Sequence, residues 1–203
     1  LSISSPNTPG LRNLQNKHYL ADLLAAGRSG LDDAGLDPAL PAKPIFLKIA
    51  PDLHPGDLAA IVESCVEAGV SGIIATNTTL ARPEYLDGAY ADEVGGLSGA
   101  PLFEAATAIL ADVSRLSNRR LGLIGAGGVA HGWQAYAKIL VGADLVQLYS
   151  GLALEGPHLP GQILRQLAAM MDADGVGAPD QIKGQIADPV AAIKHAKALC
   201  EKI

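Results

Sequence analysis

Hydroxyl, amide, ammonium and glycine groups recur at five places in this 203-residue chain, each directly after a short apolar run. Ser4-Ser5-Pro6-Asn7-Thr8-Pro9-Gly10-Leu11-Arg12 follows Leu1 and Ile3. Lys48-Ile49-Ala50-Pro51-Asp52 closes an apolar run that begins at Ile45. Thr76-Asn77-Thr78-Thr79 follows Ile73-Ile74-Ala75. Gly125-Ala126-Gly127-Gly128 follows Leu121–Ile124, and Gln147-Leu148-Tyr149-Ser150-Gly151 follows Leu145-Val146. One such cluster is ordinary turn chemistry; five in succession point to a site assembled from many strand ends.

The chemistry these groups offer is anion binding and polar recognition. Glycines let a backbone approach an anion closely, and a helix opening just after Gly128 adds N–H groups and a positive dipole end. A second glycine- and hydroxyl-bearing end, Tyr149-Ser150-Gly151, follows one strand later. That pairing favours a phosphate site, since the last two strand ends of βα barrels commonly form one. A P-loop is excluded, because no Gly-Lys-Ser/Thr follows. Three readings stand for Lys48, which sits inside an apolar strand: an amine snorkelling to the rim, a charge partner for an anionic ligand, or a Schiff-base amine. Asn77 either caps a turn or makes paired hydrogen bonds to a heterocycle edge. His18, His54, His131, His158 and His195 fall on helices or loops, so a general base must come from Ser or Lys.

The elements that position these groups alternate regularly. Strands are expected at Leu1–Ser4, Pro44–Ile49, Gly72–Thr76, Leu121–Gly125 and Leu145–Tyr149. Helices are expected at Gln15–Gly27, Pro55–Ala68, Leu102–Leu116, Gly132–Val141 and Leu159–Asp174. Gly69 and Gly142 stand as helix stops before the next strand. Such alternation predicts a parallel sheet with right-handed crossovers. Residues 28–43 read as an outer loop, and 77–101 as a lid over the strand ends. Beyond Gly175 the chain is polar and then helical: Asp188-Pro189 starts a helix with Val190, Ile193, Ala196 and Leu199 on one apolar face. Five βα units are too few for a closed eight-strand barrel, and an open flavodoxin-like sheet fits the same count.

Composition narrows the partners. At 49% hydrophobic and 18% charged residues the chain is globular rather than disordered. Its net charge of −6, with scattered Lys and Arg, excludes a nucleic-acid face, which needs clustered cations. Cys65 and Cys200 lack metal-ligand spacing and read as buried or half-buried thiols. No metal site is expected, and no apolar run approaches the roughly 20 residues of a membrane helix.

Taken together, the motifs resemble those of the quinone-dependent, class 2 dihydroorotate dehydrogenases. The resemblance rests on Ser4–Arg12, Lys48–Leu53, Thr76–Thr79, Gly95-Gly96-Leu97-Ser98-Gly99, Ile124–Val129 and Leu145–Tyr149, which occur in the family's order and spacing. It covers residues 1 to about 177 as the C-terminal part of an FMN-binding (β/α)8 TIM barrel, strands four to eight, with 178–203 a polar tail bearing a short helix. It implies FMN-dependent oxidation of dihydroorotate to orotate with a quinone acceptor, in UMP biosynthesis. Ser5 matches the catalytic base, assisted by Thr8; a Ser here, where class 1 has Cys, indicates class 2. Ser2, Lys48, Thr76, Ser98, Gly99, Gly127, Gly128, Tyr149 and Ser150 match FMN contacts, and Asn7, Asn77 and Thr78 match orotate ligands. The family usually carries Asn where this chain has Ser2, and a hydroxyl cannot span both contacts that the amide makes. The family's location implies peripheral association with the cytoplasmic side of the inner membrane. A fourth barrel strand at the head of the chain further implies a missing N-terminal barrel half, on the same polypeptide or a second chain. Two alternatives remain at this stage: a non-catalytic flavin- or phosphate-binding half-barrel, and a phosphate-binding lyase using Lys48.

Overall fold

The apolar runs form parallel strands in strictly sequential order. The computed structural model describes residues 1–5, 17–33, 43–86 and 93–203. Strands β1 (Phe46–Ile49), β2 (Gly72–Ala75), β3 (Gly122–Ala126) and β4 (Leu145–Gln147) make one parallel sheet, ordered β1-β2-β3-β4. A doubly wound sheet reverses its strand order at a switch point. No reversal occurs here, so the sheet is barrel-like rather than flavodoxin-like.

The expected first strand is reduced to a single bridge. Ser2 pairs in parallel with Lys48, and Lys48 N donates to Leu1 O at 2.8 Å. The segment therefore lies beside β1 and continues the same sequential order, but it lacks the ladder of a full strand.

Helix α1 (Lys17–Asp33) precedes β1; α2 (Pro55–Glu67), α3 (Phe103–Ser117) and α4 (Gly132–Leu140) connect successive strands; α5 (Ser150–Glu155), α6 (Leu159–Asp174) and α7 (Pro189–Cys200) follow β4. Two of the expectations change. Helix α1 runs through Gly27 and Gly30 to Asp33, so residues 28–33 are helical rather than loop, while 34–42 lie outside the described residues. A glycine inside a helix costs about 1 kcal/mol and does not by itself end it. Helix α5 was not foreseen: six residues are too few to show a periodic face.

Pleat alternation separates the two faces of the sheet. Leu47, Ile49, Ile73, Ala75 and Leu123 are buried and join the core shared with the helices. Phe46, Lys48, Ile74 and Ile124, on the opposite face, are only half-buried. Phe46 spans the facing pair Gly72 and Gly122: a Cβ on Gly72 would fall 2.7 Å from its ring. Large and small residues interleave in this way inside βα barrels.

The C-terminal segment shares this core. Ile182, Ala192, Ile193, Ala196 and Leu199 are buried in the same cluster as Tyr136 and Leu140 of α4, and α7 packs on α4, α6 and α3. Asp188 caps α7 as expected, its carboxylate accepting from Val190 N at 3.1 Å. Val190 itself is 72% exposed, and Ala192 takes its place on the buried face. Residues spaced by strict threes drift about 60° per step on a 3.6-residue helix, so Val190 ends opposite Leu199.

Leu199→Ala should therefore lower unfolding free energy by about 2–4 kcal/mol, with a matching drop in the urea midpoint. Val190→Ala should change it by less than about 0.5 kcal/mol. Equal costs for the two would mean that α7 docks through a different face.

Candidate functional site

Parallel strands in register deliver their C-terminal ends to one edge of the sheet. There Lys48, Thr76, Asn77, Thr78, Ser98, Gly99, Gly127, Gly128, Tyr149 and Ser150 line one cleft of about 260 Å³. Leu102, Ala126, Val129, Gln147, Leu148 and Gly151 complete its walls. Of the other residues singled out from the sequence, Ser2 is exposed and bridged to Lys48 through its backbone, and Ser5 is half-buried; neither lines the cleft. Asn7 and Thr8 lie outside the described residues.

The floor is a hydrogen-bonded weave of backbone and side chain. Asn77 N donates to Ile49 O at 2.8 Å, and Thr76 N to Ala126 O at 3.2 Å, stitching the segment after β2 to both neighbouring strands. Thr76 Oγ1 donates to Asn77 O at 2.8 Å. Asn77 is held at both ends of its amide: Oδ1 accepts from Thr78 N at 2.8 Å, and Nδ2 donates to Ser4 Oγ at 3.1 Å. Ser4, fully buried, donates its own hydroxyl to Lys48 O at 2.9 Å. One hydroxyl thus couples the N-terminal segment, β1 and the residues after β2. Its sequence signal is its place at the head of the first strand-end cluster, directly after Ile3.

The loop expected to act as a lid is anchored at its base. Thr79 and Leu97 form an antiparallel bridge, with N···O distances of 3.1 and 2.8 Å. Asp52, just past β1, accepts from Thr79 Oγ1 and from Leu80 N. Arg82 spans the loop, donating to Glu93 O and Gly95 O at 2.7 and 2.8 Å. These bonds carry Ser98 across to Ser150, and the two hydroxyls meet at 2.9 Å. Sequence spacing alone could not pair residues 52 apart on different loops. The Asp52 anchor was also missed, although a carboxylate directly after a strand-ending Pro was its visible signal.

The opposite wall is the turn between β3 and α4. Gly127 and Gly128 have φ of 101° and 72°, a region that L side chains rarely adopt. A Cβ on Gly128 would fall 2.5 Å from Phe103 Cβ. The turn is therefore pressed against the N-terminus of α3, and α4 opens four residues later.

Electrostatically the cleft is one-sided. Asp and Glu are absent from its lining, whereas Lys48, the turns at Gly99 and Gly127–Gly128, and several hydroxyl and amide groups supply donors. No carboxylate among the described residues pairs with Lys48, and burial pulls its pKa below the ordinary lysine value. A half-buried ammonium without a carboxylate partner among the described residues, set among donors, suits an anionic, hydrogen-bonding ligand with an apolar body lying against Leu102, Val129 and Leu148.

A sequential parallel βα sheet with helices on one face and a donor-lined cleft at its strand ends defines a ligand-binding segment of the (β/α)8-barrel class. The dihydroorotate dehydrogenase family model matches residues 1–171, and the chain belongs to that family. Proteins named dihydroorotate dehydrogenase (quinone) from Parvibaculum lavamentivorans and Rhodospirillum rubrum are 49% and 48% identical to it, each over 86% of this chain. The chain spans about half the length of the curated relatives it matches, 48% and 47% respectively. A crystal structure of DHODH from Eimeria tenella in complex with ferulenol superposes with a TM-score of 0.85 at 31% identity, over 90% of this chain and 52% of that one. The ligand-free form from the same organism gives 0.85 at 32% identity, over 91% and 54%.

Gly128→Ala forces a side chain into both a left-handed φ and the Phe103 backbone. It should lower unfolding free energy by about 2 kcal/mol or more in chemical denaturation. Gly56→Ala, in α2 with open space around it, should raise it by roughly 0.5–1 kcal/mol. A harmless Gly128→Ala would mean that the turn is not built as described.

Proposed function

We propose that this chain is the FMN-binding back half of a quinone-linked dihydroorotate dehydrogenase, which oxidises dihydroorotate to orotate in pyrimidine biosynthesis. The carrying observation is the cleft itself: the ends of all four strands meet in it, with the Ser98–Gly99 loop, and none brings a carboxylate. That donor set fits a phosphate-bearing heteroaromatic group. Gly127 and Gly128, with Tyr149 and Ser150 across the gap, would hold the phosphate, and Lys48, Thr76, Ser98 and Gly99 would contact the rest of the flavin. Bound FMN supplies the two-electron acceptor for the substrate and the donor to the quinone.

The chain's own residues divide the remaining work. Ser5 takes the proton that leaves the substrate carbon; a serine hydroxyl is a weak base, so its proton must pass on, with Thr8 as the relay. Asn7, Asn77 and Thr78 hold the substrate's amide and carbonyl edge. Asn77 is already oriented by Ser4 and by Thr78 N, which fixes its amide before substrate arrives. Lys48 brings positive charge beside the ring, where negative charge accumulates on reduction. Ser2, carried next to Lys48 by its bridge, would stand near both flavin and substrate.

A cleft of about 260 Å³ is small for a nucleotide-sized cofactor, since closed sites usually run to ~300–1,000 Å³. The remaining wall would come from an N-terminal barrel half. β4 pairs only with β3 among the described residues, and Leu145 at that edge is 62% exposed. An open edge and a half-exposed inner face suit closure by further parallel strands. No helix among the described residues is long and apolar enough to cross a membrane. Access to a membrane quinone then falls to that other half. The lyase alternative for Lys48 has no support in the family match.

In the protein carrying both barrel halves, dihydroorotate should bleach the flavin absorbance in stopped flow. Ser5→Ala should keep the bound flavin but slow that bleaching by ~10²–10⁴-fold at neutral pH. A Ser5→Ala protein reduced at the wild-type rate would remove Ser5 from its assigned role.

A further inference from the structure

Lys138 is the most deeply buried cation among the described residues, and the cleft does not include it. It lies on α4, has no exposed surface, and none of the ion pairs among those residues involves it. Its ammonium donates to Thr107 Oγ1 at 3.2 Å and sits 5.1 Å from the Phe103 ring centre. Thr107 Oγ1 in turn donates to Phe103 O at 2.7 Å. Three N–H donors thus meet one hydroxyl and a ring face. An isolated ammonium in such a place is costly to keep charged.

The position of Lys138 gives that cost a purpose. A Cβ on Gly125 would fall 2.9 Å from Lys138 Cδ, so the stem runs under the start of the glycine turn. A Cβ on Gly128 would meet Phe103, the same residue whose ring faces the ammonium. Lys138, in the last turn of α4, therefore packs its stem behind Gly125 and turns its ammonium to the ring of Phe103, the residue against which Gly128 is pressed. No Arg lines the cleft, and its single Lys, Lys48, belongs to a different strand end.

No neighbouring element supplies another counter-charge among the described residues. On α3, Glu104 is exposed and Asp112 pairs with Arg115 at the surface. On α6, Asp172 and Arg165 are exposed, and Asp174 is taken by Tyr136 and His195. Helix α7 brings only bases: Lys194, His195, and Lys197, which covers Trp133. Neither β3 nor β4 carries an ionisable side chain, and Asp144 before β4 engages Leu123 N and Lys183.

We propose that Lys138 is the counter-cation of the phosphate site, taking up a proton from solvent when a dianionic phosphate group fills the turn above it. The proposal rests on the reading of that turn as a phosphate site. In the empty protein, burial pulls the Lys138 pKa from 10.5 to about 7. A bound dianion raises it again. Below pH 7 the charge is already present and binding takes up no proton. Between that pH and the raised value, binding takes up a proton and affinity falls as pH rises. The phosphate ester of FMN is dianionic above about pH 6, so it does not mask the effect; inorganic phosphate loses its second proton about one unit higher and is therefore compared at the alkaline end of the range below.

The test is calorimetric titration of the wild-type protein with FMN, riboflavin and inorganic phosphate, at pH 7.5–9, in buffers of different ionisation enthalpy. Riboflavin keeps the ring but lacks the phosphate, so any titration of Lys48 near the ring is common to both flavins. FMN and inorganic phosphate should bind with proton uptake and riboflavin without it. FMN affinity should fall about tenfold across that range, as a pKa raised by about two units requires. Lys138→Met should bind FMN about tenfold more weakly and without pH dependence, while Lys138→Arg, always charged, should also lose the pH dependence but keep tight binding. If neither flavin binds but phosphate binds with proton uptake, the flavin reading falls and the role of Lys138 stands. Equal uptake with FMN and riboflavin, binding of phosphate or FMN without uptake, or no binding of either overturns it, whether or not the variants fold.

Discussion

Parallel pairing in sequential order is the constraint on which the rest of the structure depends. Each strand leaves the sheet at the same edge, so the residues just past Ile49, Ala75, Ala126 and Gln147 cannot avoid one another. The register ties Lys48 to Ile74 and Ile74 to Ile124, and it sets Ala126 opposite Gln147. Side-chain chemistry then has only short distances to close. Ser4 bridges Lys48 and Asn77, and Ser98 reaches Ser150, because the backbone has already brought these residues together.

Much of this arrangement was legible in the chain. Apolar runs without polar alternation announced strands covered by helices. The stops at Gly69 and Gly142 are real, with φ of 62° and 123°. Asp188-Pro189 announced the start of α7. Strand-end polar residues marked the cleft, since their type and position suffice when the strands are parallel. What stayed hidden depends on long-range contact. The pairing of Ser98 with Ser150 and the anchoring of Thr79 by Asp52 join loops that periodicity does not relate. Choosing Val190 over Ala192 followed from spacing by threes, which drifts around a helix, and the extension of α1 through two glycines depended on packing rather than propensity.

Cations in costly places sharpen the functional reading. Lys48 and Lys138 are both shifted by burial toward the neutral amine, and no carboxylate among the described residues relieves either one. The left-handed Gly127 and Gly128 add a backbone that tolerates no side chain. Stability alone would replace these features with apolar packing or a surface charge. Lys48 lines the cleft from one strand end and the glycine turn from another, with Lys138 packed behind that turn, which is intelligible if an anion completes the site.

A crystal structure of the protein with FMN tests the central claim most directly. The account predicts the phosphate over Gly127 and Gly128, within hydrogen-bonding distance of Ser150, and the ring extending toward Lys48 and Asn77. A phosphate bound outside this turn, or a ring lying at the Tyr149–Ser150 end with the phosphate at Lys48, would contradict it.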